Sequence, residues 1–274
     1  MGERKRSGNE RAFTLIELLV VVSIIAMLMA LLFPVLHRAR NQAKATLCQA
    51  RMHQWSLVFK MYTDDNNGRW FKRLMFNPRA QETNLRSWRC ATVRLWAEPG
   101  MALCPMATTH RWPPDKYSAF GDFLGFALDA KGSVVQTHFS YGFNESAGWS
   151  EEHESYWALT PLDYFWRTPD VRGAARVPLL YDSVADMPFL SGTWPPPAMD
   201  TWEGYLQSGY FMVMERHEGG NNMLFMDWSV RKVSLKELWT FKWYPAYDTA
   251  GPWTKAGGVQ SEDWPAWMRG FKDY

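Results

Sequence analysis

Residues Phe13–Phe33, FTLIELLVVVSIIAMLMALLF, decide how the rest of the chain is read. The run holds twenty-one residues with a single charge, Glu17. As a helix it is long enough to cross a hydrocarbon core of about 30 Å. Arg4, Lys5, Arg6 and Arg11 precede it, and Pro34, His37, Arg38 and Arg40 follow. A charge at the centre of such a helix costs roughly 2.5–3.5 kcal/mol on insertion scales. Glu17 sits near the start of the run, where snorkelling lowers that cost. An uncleaved signal anchor would share the length and flanks. A cleaved secretory signal would not, because the run exceeds the usual apolar core of about 7–15 residues.

Composition narrows the class. The chain has 274 residues and a formal net charge of +2. The first twelve residues carry Arg4, Lys5, Arg6 and Arg11 against Glu3 and Glu10, so the excess belongs to them and the remainder is neutral. No nucleic-acid footprint follows from such a balance. Setting aside the apolar run and its extension leaves roughly 210 residues, enough for one domain or two small ones. Positive charge ahead of the run favours a cytoplasmic N-terminus, whereas the basic residues behind it oppose that orientation.

Beyond Pro34 the helix is expected to continue, giving one element over residues 13–63. Ala39, Ala43, Leu47, Ala50, Gln54, Leu57 and Met61 recur at spacings of three and four and predict its packed face. Asp64-Asp65-Asn66-Asn67-Gly68 then reads as a stop, with a Gly able to turn left-handed. Such a helix would be about 75 Å long at 1.5 Å per residue, which suits a filament subunit better than a soluble monomer. Ser87–Ala97 predicts a short helix ended by Pro99-Gly100. Thr137–Phe143 and Val177–Asp182 predict strands. Met223–Met226 predicts another, turning at Asp227-Trp228 and returning over Ser229–Val233. A two-residue turn there would want Gly where Trp228 stands, so a longer turn or backbone strain is expected. Gly219-Gly220 implies a sharp turn or a close backbone approach before that strand.

The sequence Arg11-Ala12-Phe13-Thr14-Leu15-Ile16-Glu17-Leu18-Leu19 resembles the N-terminus of type IV prepilins and of the pseudopilins of type II secretion. Further on, Cys48 through Met61-Tyr62 to Asp65-Asn66-Asn67-Gly68, Leu103-Cys104-Pro105, Ser140-Tyr141-x-x-Asn144, Pro178-Leu179-x-x-Asp182 and Arg216-His217 resemble elements of the prepilin-like proteins abundant in planctomycetes. His217 and Asp227 are separated by nine residues, similar to that family's His-x9-Asp-Gly element, with Trp228 in place of the Gly. The resemblance implies a leader, residues 1–12, cut between Ala12 and Phe13 by a prepilin peptidase that also methylates the new Phe13 amine. Ala12 stands where the family usually has Gly. It implies an α+β pilin-like fold, a long N-terminal helix on an antiparallel sheet, with a head over residues 64–274 ending in a Trp-rich extension. Pro34 falls where many pilins kink. The resemblance further implies assembly of the apolar helix with other pilin-like subunits, in a type IV pilus or type II secretion pseudopilus. Glu17 would there meet a neighbour's N-terminal amine. The chain would be single-pass in the inner membrane, its head extracytoplasmic.

Three features invite chemistry. His217 and Asp227 suggest an oriented base, but no nucleophile motif accompanies them, and they fall at opposite ends of one strand. The expectation is that they anchor a loop and a hairpin, and that the chain is not an enzyme. Calcium is the metal expected if any binds, since it takes several oxygen ligands: Asp64, Asp65, Asn66 and Asn67 offer them in one turn, and Asp182, Asp186 and Asp227 could join. Zinc is disfavoured, because no CxxC or HxxxH spacing exists. An oxidising compartment permits one disulfide among Cys48, Cys90 and Cys104, and the family-like settings of Cys48 and Cys104 favour that pair. Sixteen tryptophans, all from Trp55 onward, read either as a core and its rim or as an exposed aromatic surface. The second reading makes the alternative function a membrane-tethered head that binds glycans.

Overall fold

The computed structural model of the chain describes residues 14–71, 88, 92, 99–108, 123–128, 134–148, 164–184, 191–201, 204 and 210–274. Ala12, Phe13, Cys90 and Asp186 lie outside these residues, as does the helix expected over Ser87–Ala97 except for Trp88 and Thr92. The chain divides into two units, Met1–Ala43 and Lys44–Tyr274.

One helix, α1, runs over Leu15–Asp65 and contains Pro34. Thr14 starts it. The Thr14 Oγ1 accepts the Glu17 N–H at 3.2 Å, and the Glu17 carboxylate accepts the Thr14 N–H at 2.9 Å and hydroxyl at 2.8 Å. This reciprocal capping box satisfies helix N–H groups that would otherwise lack partners. At the other end the Gly68 N–H returns to the Thr63 carbonyl at 2.8 Å, and the Asn66 amide reaches the Tyr62 carbonyl at 2.7 Å. Asn67 and Gly68 both adopt positive φ, 56° and 72°. The turn formers after Asp65 thus close the last carbonyls, and α1 stops where the sequence says it should.

The side chains from Leu15 to Leu36 are exposed, Leu15 at 78% and Phe33 at 66%. This is the one described helix long and apolar enough to cross a membrane. So large an apolar surface calls for lipid or for neighbouring chains.

In the second unit the buried face of α1 is Cys48, Met52, Trp55, Phe59 and Thr63, at spacings of three and four, with Ser56 and Val58 beside it. This corrects the expected stripe. Ala43, Leu47, Ala50, Gln54, Leu57 and Met61 are all exposed. Both stripes contain apolar residues, so spacing alone does not choose between them. Ring size does: Trp55 and Phe59 remove far more area from water than alanines at the same period. Trp55 meets Trp88 at 5.1 Å and Phe59 meets Phe143 at 5.3 Å, centroid to centroid.

The sheet has four antiparallel strands in the order β3 (Tyr141–Phe143), β4 (Pro178–Asp182), β5 (Gly220–Phe225) and β6 (Val230–Ser234). A separate antiparallel hairpin joins β1 (Phe123–Leu128) to β2 (Val134–Phe139). The single strand expected over Thr137–Phe143 is therefore two strands in two sheets. Ser140 divides them: its N–H donates to the Ala102 carbonyl, and its own carbonyl accepts the Ser183 N–H.

All residues of β4 and β5 are buried. One core joins α1 to the sheet through Phe143, Leu180 and Leu224. A second joins it to the C-terminal segment through Tyr181, Met223, Phe225, Leu238, Trp239 and Trp264. The central strands are covered on both faces, so their residues are buried without alternation, the polar Asp182, Asn221 and Asn222 included. The segment after Leu235 supplies a packed layer built from short 3₁₀ turns.

Strand β5 begins at Gly220, three residues before the expected start. In the β5–β6 turn the Trp228 N–H donates to the Phe225 carbonyl, the Phe225 N–H to the Ser229 carbonyl, and Trp228 takes φ +70°. For a residue with a Cβ that conformation costs roughly 1–2 kcal/mol. The Trp228 ring offsets it by packing against Trp70, 6.0 Å away.

The corrected helix face is testable by chemical denaturation of the full chain in detergent. Phe59→Ala removes a fully buried ring and is expected to cost about 3–5 kcal/mol. Leu57→Ala, at a side chain 64% exposed, is expected to stay within about 0.5 kcal/mol of the parent. The opposite ranking would restore the alanine-rich stripe.

Candidate functional site

Four segments meet at the end of the inner strand β4. Cys48 comes from α1, Cys104 from the loop after a 3₁₀ turn at Pro99–Ala102, Asp182 from the end of β4, and His217 from the approach to β5. Their donor atoms all lie within 4.8 Å of one another, and all four residues are buried.

Local structure explains the convergence. Asn221 accepts the Asp182 N–H through its Oδ1 and donates its amide to the Asp182 and Met212 carbonyls at 2.9 Å each. Glu218 and Gly219 both take positive φ, 51° and 76°, turning the chain so that His217 folds back over the strand it precedes. A Cβ on Gly219 would stand 2.9 Å from the Phe271 ring, so the Gly also answers a close approach. Ser140 holds the Cys104 loop by accepting the Cys104 N–H on its hydroxyl. Gln49 donates to the Asn222 side chain at 3.0 Å, fastening α1 to β5 next to Cys48.

Asp182 is the hub. Its Oδ1 takes the Arg216 guanidinium at 3.1 Å, and its Oδ2 lies 2.9 Å from His217 Nε2 and 3.3 Å from the Asn222 N–H. Cys48 Sγ stands 3.6 Å from Oδ2. Arg216 also donates to the Ser140 carbonyl at 3.1 Å and the Ser183 carbonyl at 3.3 Å. Cys104 Sγ lies 3.3 Å from His217 Nε2. Each sulfur also faces a donor: the Tyr141 hydroxyl at 3.4 Å from Cys48, and the Met106 N–H at 3.4 Å from Cys104.

The electrostatics follow from this packing. Burial pushes the Asp182 carboxyl up, but the charges and hydrogen bonds of His217 and Arg216 outweigh it and hold the group below the usual carboxylate range. Burial pulls His217 down, and Asp182 raises it to about 9. Burial pushes Cys104 up, yet hydrogen bonds from Cys48 and His217 and the Arg216 charge bring it to about 7. Cys48 is pushed well above the usual thiol range, by burial first.

The contact pattern differs from a nucleophilic triad. There the imidazole uses one nitrogen toward the nucleophile and the other toward the carboxylate. Here Cys104 and Asp182 both face Nε2, and the buried Nδ1 has no hydrogen-bond partner among the described residues.

His217 and Asp227 lie on either side of β5, and the carboxylate beside His217 is Asp182. Asp227 lies beyond the far end of β5, where its Oδ1 accepts the Ser229 hydroxyl at 2.6 Å and N–H at 3.0 Å. The expected calcium set is corrected: among the described residues its oxygen donors do not gather at one point. Asp182 is opposite Asn222, five residues along the chain from Asp227 and separated by up to about 17 Å at 3.3 Å per residue. Asp64 and Asp227 line one groove with Lys60, Gly68 and Trp228, and Asp64 is engaged by Lys60 at 3.1 Å. Asp65 and Asn67 are exposed in the turn beside it. Cys48 and Cys104 come together as free thiols rather than as a disulfide. Trp55, Trp70, Trp88, Trp239, Trp243 and Trp264 are buried, and among the described tryptophans Trp194 alone is classed as exposed. The rings therefore build cores more than an outward aromatic face.

Sequence reading missed Arg216 as the partner of Asp182 and the pairing of Thr14 with Glu17. The second was legible, since Thr-x-x-Glu before an apolar run is the capping-box signature. The first was not, because Arg216 and Asp182 are joined only by sheet pairing.

Residues 7–33 match the prokaryotic N-terminal methylation motif. The chain is also 46% identical over 59 residues to the type IV wide pilus major component PilA4 of Thermus thermophilus. That alignment covers 22% of this chain and 45% of the relative, so the chain spans less than half the length of the protein it matches. No solved structure matches.

Removing the Arg216 guanidinium leaves Asp182 buried beside one cation fewer. Arg216→Ala is expected to cost about 3–5 kcal/mol, whereas Lys60→Ala, at an exposed pair, costs about 0.5 kcal/mol or less. Urea denaturation of the two variants in the same detergent checks the contrast.

Proposed function

We propose that the chain is a pilin-like subunit, made as a membrane-inserted precursor and assembled through the apolar half of α1 into a type IV pilus or a type II secretion pseudopilus. The observation that carries this is the conjunction at the N-terminus. Basic residues precede an exposed apolar helix, a carboxylate closes its first turn, and residues 7–33 match the methylation motif. The short match to a type IV pilus component supports the same reading. A prepilin peptidase would cut between Ala12 and Phe13 and methylate the new amine. The precursor would be single-pass in the inner membrane with its head outside the cytoplasm, and its partners would be other pilin-like subunits.

The capping box gives Glu17 a task before and after processing. In the precursor its carboxylate is held by Thr14, which lowers the cost of keeping it near apolar surroundings. In a filament the same carboxylate lies four residues from the mature N-terminus, within reach of a neighbour's Phe13 amine. Pairing compensates two charges that would each be costly alone among packed apolar helices. The burial of Trp55, Trp70, Trp88, Trp239, Trp243 and Trp264 supports a subunit role for the head over the glycan-binding alternative.

Intact-mass and N-terminal analysis of the protein from its native membrane tests processing. A chain beginning at N-methylated Phe13 is expected, and a chain still beginning at Met1 would sink the proposal. Glu17→Leu is expected to leave the mature protein in the membrane fraction and remove it from sheared filaments. Filaments at the parental level would show that the carboxylate has no part in assembly.

A further inference from the structure

We propose that Cys48, Cys104, Asp182 and His217 form a closed four-ligand site for a zinc ion inside the head. The four donors come from segments as far apart as α1 and the approach to β5, yet they converge on one point. Zinc takes thiolate sulfur at about 2.3 Å, imidazole nitrogen at about 2.0–2.1 Å and carboxylate oxygen at about 2.0–2.2 Å, in a tetrahedron whose edges are then roughly 3.3–3.8 Å. The observed separations bracket those edges. Cys104 Sγ to His217 Nε2 is 3.3 Å, Cys48 Sγ to Asp182 Oδ2 is 3.6 Å, His217 Nε2 to Asp182 Oδ2 is 2.9 Å, and no donor pair exceeds 4.8 Å.

The surroundings are built for that ligand set. Two thiolates and one carboxylate carry three negative charges, and a divalent ion leaves one. The Arg216 guanidinium, fully buried and 3.1 Å from Oδ1, balances it. Arg216 engages Oδ1, and Oδ2 is the oxygen beside His217 Nε2, with Cys48 Sγ 3.6 Å from Oδ2 and 3.7 Å from Oδ1. Each sulfur receives a hydrogen bond, from the Tyr141 hydroxyl and the Met106 N–H, and such outer contacts orient and stabilise coordinating thiolates. Thiolate ligands select against calcium and magnesium, and four protein ligands with no open position describe a structural site rather than a catalytic one. The ion would tie α1, the Cys104 loop, β4 and the lead into β5 at one point. This inference is independent of filament assembly. It replaces the expected calcium set and the expected disulfide with one site.

The test uses the full chain purified in detergent without chelator. Elemental analysis is expected to give about one zinc per chain, with Cys48 and Cys104 reduced by peptide mapping. Cys104→Ser and His217→Ala are expected to lose the metal, while Asp227→Asn keeps it. A second measurement, independent of how those variants fold, uses the parent chain. Exchange of zinc for Co²⁺ should produce thiolate-to-cobalt charge transfer and the intense visible bands of a tetrahedral site, and chelation of zinc should lower the melting temperature. Three results would each overturn the site: a Cys48–Cys104 disulfide, lighter by two hydrogens; free thiols with neither zinc nor a cobalt spectrum; or zinc that persists unchanged in both ligand variants.

Discussion

The buried carboxylate of Asp182 is the constraint around which the head is arranged. A charge with no water beside it must find its compensation in the protein, and the cost of failing is several kcal/mol. Strand β4 delivers the carboxylate to the interior, and no residue near it in sequence can satisfy it. Arg216, His217 and the Asn222 N–H therefore have to arrive from the segment leading into β5. That demand fixes how the 210–220 stretch folds. It accounts for the positive φ at Glu218 and Gly219 and for the close fit of Gly219 under Phe271. Cys48 completes the same cluster from α1, so the docking of the helix and the pairing of the strands share one polar centre.

Around that centre, rings set the boundaries of the cores. On the helix side Trp55, Phe59, Trp70, Trp88 and Phe143 contact one another in edge-on, tilted and stacked pairs. On the other side Trp239 meets Trp264 at 5.4 Å and Tyr210 at 5.7 Å. Large rings let short strands and 3₁₀ turns enclose enough apolar area, because each buries on the order of 150–250 Å². Two of the buried indoles also bond backbone through their N–H groups. Trp55 donates to the Met101 carbonyl and Trp243 to the Leu238 carbonyl, both at 2.8 Å, so these rings position backbone as well as fill volume.

The apolar start of α1 obeys a different rule. Its side chains are exposed over more than five turns. A segment like this is stable only in a bilayer or among copies of itself. The Thr14–Glu17 box lets the one charge in the run serve the helix end without breaking the apolar surface. The head and the apolar segment thus place polar groups by the same logic, each carboxylate being held by donors fixed in the fold.

What the sequence determined by itself was local. The apolar run, the stop at Asp64–Gly68, the strand ending at Asp182 and the strain at Trp228 all depend on residues within a few positions of one another, and so could be read in order along the chain. Cys48, Cys104, Asp182 and His217 were each marked out in the same way, but as parts of a disulfide, a calcium set and a His–Asp anchor. Tertiary structure decided their true neighbours, because antiparallel pairing sets Asp182 against Asn222 and so brings it beside His217. It also decided which face of α1 is buried. Two stripes of equal period were available, and the choice fell to Trp55 and Phe59 because the rings they meet, Trp88 and Phe143, lie far along the chain. Periodicity reports that a helix has faces. Which face turns inward depends on partners that only the folded chain brings near.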